Sequence, residues 1–172
     1  MEKSRQEIKD RAYALAKKYE MENGACAQGV FAGVTETLGI QNDDVFRAAT
    51  GFADGIGLTG DGHCGALSGA VMAISYIFGR KKEDFHRRGK MLKALLLCQQ
   101  LENRFMGEYG VCRCHELQTK FFGRFFNLLE PSEIEAALNA GALERCSSLV
   151  GEVASMAVEL ILEQQAKDAA KS

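Results

Sequence analysis

Apolar residues recur every three or four positions along nearly the whole chain and seldom alternate strictly with polar ones, so the pattern predicts helices rather than a sheet. Ile8, Ala12, Leu15 and Tyr19 stripe a first helix, which Asn23-Gly24 stops. A second is expected over residues 26–38, before Gly39. A short third, with Asn42, Asp43 and Asp44 as caps and first-turn acids, is expected over residues 45–52. Residues 53–63 read as a glycine-rich loop. An apolar helix then covers residues 64–79, and after Arg80-Lys81-Lys82 a long helix covers residues 83–106, ended by Tyr109-Gly110. Pro131, Ser132, Glu133 and Glu135 open another helix, which Ala140-Gly141 closes. In the last helix Leu143, Cys146, Val150, Val153, Ala157 and Leu160 share one face, which turns Cys146 inward, and residues 167–172 are expected to fray. The expectation is an all-α protein: a compact bundle of about six to seven helices in a single domain, residues 1–172.

Residues 26–39 and 64–79 echo one another. Each stretch opens with cysteine, closes with glycine and carries small residues four apart, Ala25, Gly29 and Gly33 in one and Gly65, Gly69 and Ala73 in the other. Such spacing strips side-chain bulk from one face and lets two backbones approach closely.

Charge narrows the function. Charged residues are 26% of the chain and the net charge is -2, so there is no basic field for nucleic acid. The opening Met-Glu-Lys-Ser-Arg-Gln-Glu leads into a mixed-charge amphipathic segment with no export signal, which makes the cytoplasm the expected location. The least charged stretch, residues 64–79, is shorter than the roughly 20 residues of a membrane span. A helical protein of 172 residues buries a full core without disulfide staples. In a reducing compartment the six cysteines therefore point to thiol, metal or redox chemistry.

Cys26, Cys64 and Cys114 each sit where a loop hands over to a helix, a place where unpaired backbone N–H groups favour a thiolate. Cys146 lies one turn inside the last helix. Several thiolates together repel unless a cation or a sulfur–sulfur bond absorbs the charge, which favours a metal centre or disulfide pairs over four independent thiols. Cys98, within Ala94-Leu95-Leu96-Leu97-Cys98, reads as core. Cys112, two residues from Cys114, is the alternate for the third site position, and His63 and His115 are alternates as ligands or thiolate-stabilising neighbours. His86 reads as solvated. Gly55-Ile56-Gly57-Leu58-Thr59-Gly60 and Gly60-Asp61-Gly62-His63-Cys64-Gly65 match G-x-G-x-x-G without a βαβ setting, so this loop is read as positioning Cys64. Cys112-Arg113-Cys114-His115 is one residue short of a haem-attachment pattern. The run Phe121-Phe122-Gly123-Arg124-Phe125-Phe126 is core or, if exposed, a homodimer or partner surface.

Asn23-Gly24-Ala25-Cys26-Ala27-Gln28, Cys64-Gly65-Ala66-Leu67-Ser68-Gly69-Ala70, Cys114-His115-Glu116-Leu117 and Cys146-Ser147-Ser148-Leu149-Val150 follow one another in an order that resembles the redox-active proteins named for a C…GCAxxG…C…C pattern. His63 stands where the family name has glycine. The resemblance implies a helical protein with redox-active Cys26, Cys64, Cys114 and Cys146. It extends to the non-haem part of split-Soret cytochromes c, which implies that these four cysteines hold an iron–sulfur cluster, with [2Fe–2S] the expected form. Four thiolates are the usual complement of such clusters. Zinc also accepts four thiolates, and metal-free thiol–disulfide cycling would use the same sulfurs. The expected function is redox or electron transfer with an unknown redox partner. The alternatives are a metal-free thiol–disulfide oxidoreductase and a non-enzymatic zinc or other metal-binding module.

Overall fold

The computed structural model describes residues 4–171. Ser4 starts the first helix, α1 (Arg5–Asn23): its hydroxyl accepts from the Glu7 N–H while the Glu7 carboxylate accepts from the Ser4 N–H, and left-handed Gly24 ends the helix. Next come α2 (Cys26–Leu38), α3 (Asp43–Ala48), α4 (Gly65–Phe78), α5 (Leu92–Tyr109), α6 (Cys114–Phe122), α7 (Pro131–Asn139) and α8 (Ala142–Ala169), with no strand among the described residues.

The all-α expectation holds, but the described residues form eight helices rather than six to seven. The helix expected to start at Cys114 is α6, nine residues long and closed by left-handed Gly123, and with it the count reaches eight among the described residues. The third helix stops at Ala48 and continues as a 3-10 turn, Thr50–Phe52. Residues 83–91 do not begin α5. They form 3-10 turns, because no residue from 81 to 93 is buried and no apolar face rewards a helix there. At the other end α8 stays helical to Ala169 instead of fraying from Lys167, held by Lys93 and Gln164, which each donate to the Asp168 carboxylate at 2.8 Å. Ser172, expected to fray, and Met1, Glu2 and Lys3 lie outside the described residues.

Helices α1, α2, α4, α5 and α8 share one core, in which Phe31, Ile74, Leu101, Phe105, Val153 and Ile161 are buried. Each such side chain contributes about 1.5–3 kcal/mol through burial. Small residues set the helix spacing. A Cβ on Gly33 would lie 2.7 Å from Ala16 Cβ, one on Gly151 would lie 2.8 Å from the Tyr13 ring, and one on Gly69 would overlap the Ala27 carbonyl oxygen. The two echoing helices therefore do not face each other symmetrically: Gly29 and Gly33 meet α1, whereas Gly65 and Gly69 meet α2. This contact brings the first turns of α2 and α4 together. Among the described residues no helix is long and apolar enough to cross a membrane.

Candidate functional site

Backbone pairing places Cys64 beside Cys114. His63 and Arg113 form an isolated antiparallel bridge, the Cys64 N–H donates to the Cys112 carbonyl at 2.8 Å, and the Cys114 N–H donates to the Gly62 carbonyl at 3.1 Å. Arg113 reinforces this clasp with bonds to the Asp61 carbonyl at 3.0 Å and carboxylate at 2.9 Å. From it α4 and α6 set out, so both cysteines stand at helix starts. Cys26 opens α2 with its sulfur against Gly65, where a Cβ would overlap it. Cys146 arrives on the second turn of α8.

These four cysteines line one cavity of about 240 Å³, together with Glu20, Asp54 and Gln118. Leu117, Phe121, Phe126, Leu138 and Leu149 contribute to its apolar wall. Cys64 is the hub, within electrostatic reach of Cys26, Cys114 and Cys146. All six cysteines are free thiols. Cys98 lies away from the cavity between α4 and α5, with its sulfur 3.8 Å from Ser75 Oγ. His115 packs its ring on Phe125, and His63 and Cys112 face Glu102, so none of these three alternates lines the cavity. The phenylalanine run does not form an exposed patch: Phe121, Phe122 and Phe125 are half-buried and Phe126 is buried.

Burial dominates the sulfur electrostatics. It pushes the Cys26 and Cys114 thiols well up, Cys64 to about 11 and Cys146 to about 12. The Ala66 and Leu67 N–H groups in the first turn of α4 do favour the Cys64 thiolate, although neither closes a capping hydrogen bond. The helix-start effect expected from the sequence is therefore present and outweighed.

Two buried carboxyl groups on the cavity wall were not anticipated. Asp54 accepts from the Cys114 thiol at 2.8 Å and from the Gln118 amide at 2.7 Å, while Gln118 Oε1 accepts from the Phe126 N–H at 3.0 Å. Burial raises the Asp54 carboxyl and lifts that of Glu20 to about 7. One oxygen of each, Asp54 Oδ2 and Glu20 Oε2, is buried without a hydrogen-bond partner among the described residues. Protonated, each group offers an O–H donor at the cavity. Glu20 continues the four-residue row of Ala12 and Ala16 on α1, and an acid in that row was the available signal. Asp54 carries no such mark in the sequence, and only the backbone sets it apart. It begins a stretch in which Asp54, Ile56 and Leu58 all have positive φ, a strained arrangement for side-chain-bearing residues.

Four thiol sulfurs are a donor set that iron–sulfur clusters and zinc both accept. A tetrahedral zinc draws its sulfurs to about 3.8 Å from one another. Among the described residues no three of the cavity sulfurs lie within 4.8 Å of each other. The sulfurs surround a space, and the wall behind them is largely apolar.

A sequence model of the family described as "Putative redox-active protein (C_GCAxxG_C_C)" matches residues 24–160, a stretch that contains all four cavity cysteines. No curated protein and no solved structure matches the chain.

Proposed function

The chain belongs to the redox-active C_GCAxxG_C_C family, and on that premise we propose that Cys26, Cys64, Cys114 and Cys146 together ligate an iron–sulfur cluster, [2Fe–2S], in a cytoplasmic electron-transfer or redox protein. The observation that carries this reading is the convergence of four cysteines, from the starts of α2, α4 and α6 and from α8, on one cavity. Four thiolates are the complement such clusters require, and a bound cluster would supply one-electron transfer.

The chain's own residues do the rest. The N–H groups of Ala66 and Leu67 ease charge onto Cys64. Gln118 fixes Asp54 against Cys114, and Phe121, Phe126 and Leu138 limit water around the sulfurs. The raised thiols support a metal-held centre over a metal-free nucleophile: burial disfavours a bare thiolate, and a bound cation would offset that charge as the protons leave to solvent.

Anaerobic purification tests the proposal. The expected product is coloured, carries about two irons and two acid-labile sulfides per chain, and bleaches when any one of the four cysteines becomes serine. A colourless protein holding one zinc would establish the metal-binding alternative. An iron-free protein that loses mass in steps of two hydrogens on oxidation would establish thiol–disulfide cycling.

A further inference from the structure

We propose that His63, Glu102 and Cys112 form a second metal site, separate from the four-cysteine cavity and suited to a zinc-type divalent cation. The imidazole nitrogen, carboxylate oxygen and sulfur of these residues all lie within 4.8 Å of one another, and His63 Nε2 stands 3.9 Å from Glu102 Oε1. None of the three lines the cavity.

The three donors come from separate segments whose relative positions are fixed. His63 precedes α4 and Cys112 precedes α6, and the His63–Arg113 bridge with the Cys64 N–H to Cys112 carbonyl bond holds those two strands of chain side by side. Glu102 projects from the middle of α5. The strongest nearby cation, Arg113, is already engaged by Asp61, so it does not occupy the position between the donors.

Donor chemistry selects the ion. Calcium and magnesium prefer oxygen cages, whereas a sulfur, an imidazole nitrogen and one carboxylate suit zinc and its transition-metal neighbours. A deprotonated Cys112 and Glu102 together balance a divalent charge, and binding releases the Cys112 proton to solvent. Tetrahedral zinc asks for donor separations of about 3.4–3.6 Å, which side-chain rotation can reach from the present spacing. His63 and Glu102 are exposed and Cys112 half-buried, so an ion can enter from solvent, and three protein donors leave a fourth position for water. An ion here would clamp the clasp that carries Cys64 and Cys114.

The test is an anaerobic zinc titration of the full chain against a chromophoric zinc chelator, comparing wild type with His63→Ala, Glu102→Gln and Cys112→Ser. Each variant is expected to bind one zinc fewer than wild type, or to bind that ion more than roughly tenfold more weakly, whatever the cavity itself takes up. Cobalt bound at the site should show a thiolate charge-transfer band that Cys112→Ser abolishes. Equal zinc stoichiometry and affinity in all four proteins would overturn the proposal. So would an equal zinc-induced rise in Tm, a readout that also exposes any variant that fails to fold.

Discussion

The Cys114 thiol donates to the Asp54 carboxylate at 2.8 Å, and the Gln118 amide donates to the same oxygen at 2.7 Å. Asp54 thereby joins the strained glycine-rich loop to the first turn of α6. Replacing it with alanine leaves a buried thiol and a buried amide without their acceptor, and is expected to destabilise by about 2–3 kcal/mol. Asp54→Asn keeps an acceptor oxygen and tolerates the left-handed backbone at φ 46°, so it should lose much less. Urea unfolding of the two variants checks this. Equal losses would mean that the carboxylate charge, not the acceptor, is what matters.

Glu20 makes the metal-free protein pH-sensitive. Burial lifts its carboxyl from 4.5 to about 7, so the folded state holds that proton more tightly than the unfolded chain does. This contribution is fully present below pH 4.5 and is lost as pH rises through about 7. It amounts to about 3 kcal/mol at 1.36 kcal/mol per unit. Glu20→Gln is expected to flatten that part of the profile. The measurement is urea unfolding at pH 5 and pH 8 with chelator and reductant present, and parallel profiles for the two proteins would refute the assignment.

Two glycine-to-alanine changes should have opposite signs. At Gly65 the new methyl overlaps the Cys26 sulfur and crowds the Phe52 carbonyl at 2.9 Å. The expected result is a loss of about 1–3 kcal/mol from overpacking, with reduced iron content as Cys26 is pushed aside. At Gly107, inside α5, nothing lies within 4 Å. Alanine there should stabilise by about 0.5–1 kcal/mol. Thermal melts with iron analysis read both.

Thiol reactivity should follow enclosure. In the metal-free protein at pH 8, alkylation mapped by mass spectrometry should label Cys112 roughly tenfold faster than the buried Cys64 and Cys114. Cys98→Ala should leave iron content unchanged, since Cys98 contacts Ser75 and Val71 rather than the cavity.

Much of the helix plan was legible because its punctuation is local. Gly24, Gly39, Pro131 and Gly141 mark ends that composition alone reveals, and α2 runs over the expected residues, Cys26–Leu38. The false start of α5 shows the limit. Residues 83–91 carry no proline, but whether their apolar side chains find a surface to bury against is decided by the fold, and Phe85 remains 73% exposed. Cys26, Cys64 and Cys114 could be singled out from their positions at helix starts and Cys146 from its inward stripe, and the family order linked them. Glu20, Asp54 and Gln118 could not be singled out in this way. Their placement depends on how α1, the loop and α6 come together, and an acid in a helix row looks solvated until its neighbours close over it.

The clasp between the segments preceding α4 and α6 also bears on what a shared cofactor would connect. It aligns Cys64 with Cys114, two of the four cavity cysteines, whereas Cys146 arrives on α8, which packs against α1 and α2. A cofactor spanning all four would therefore act as a knot tying early and late parts of the polypeptide together.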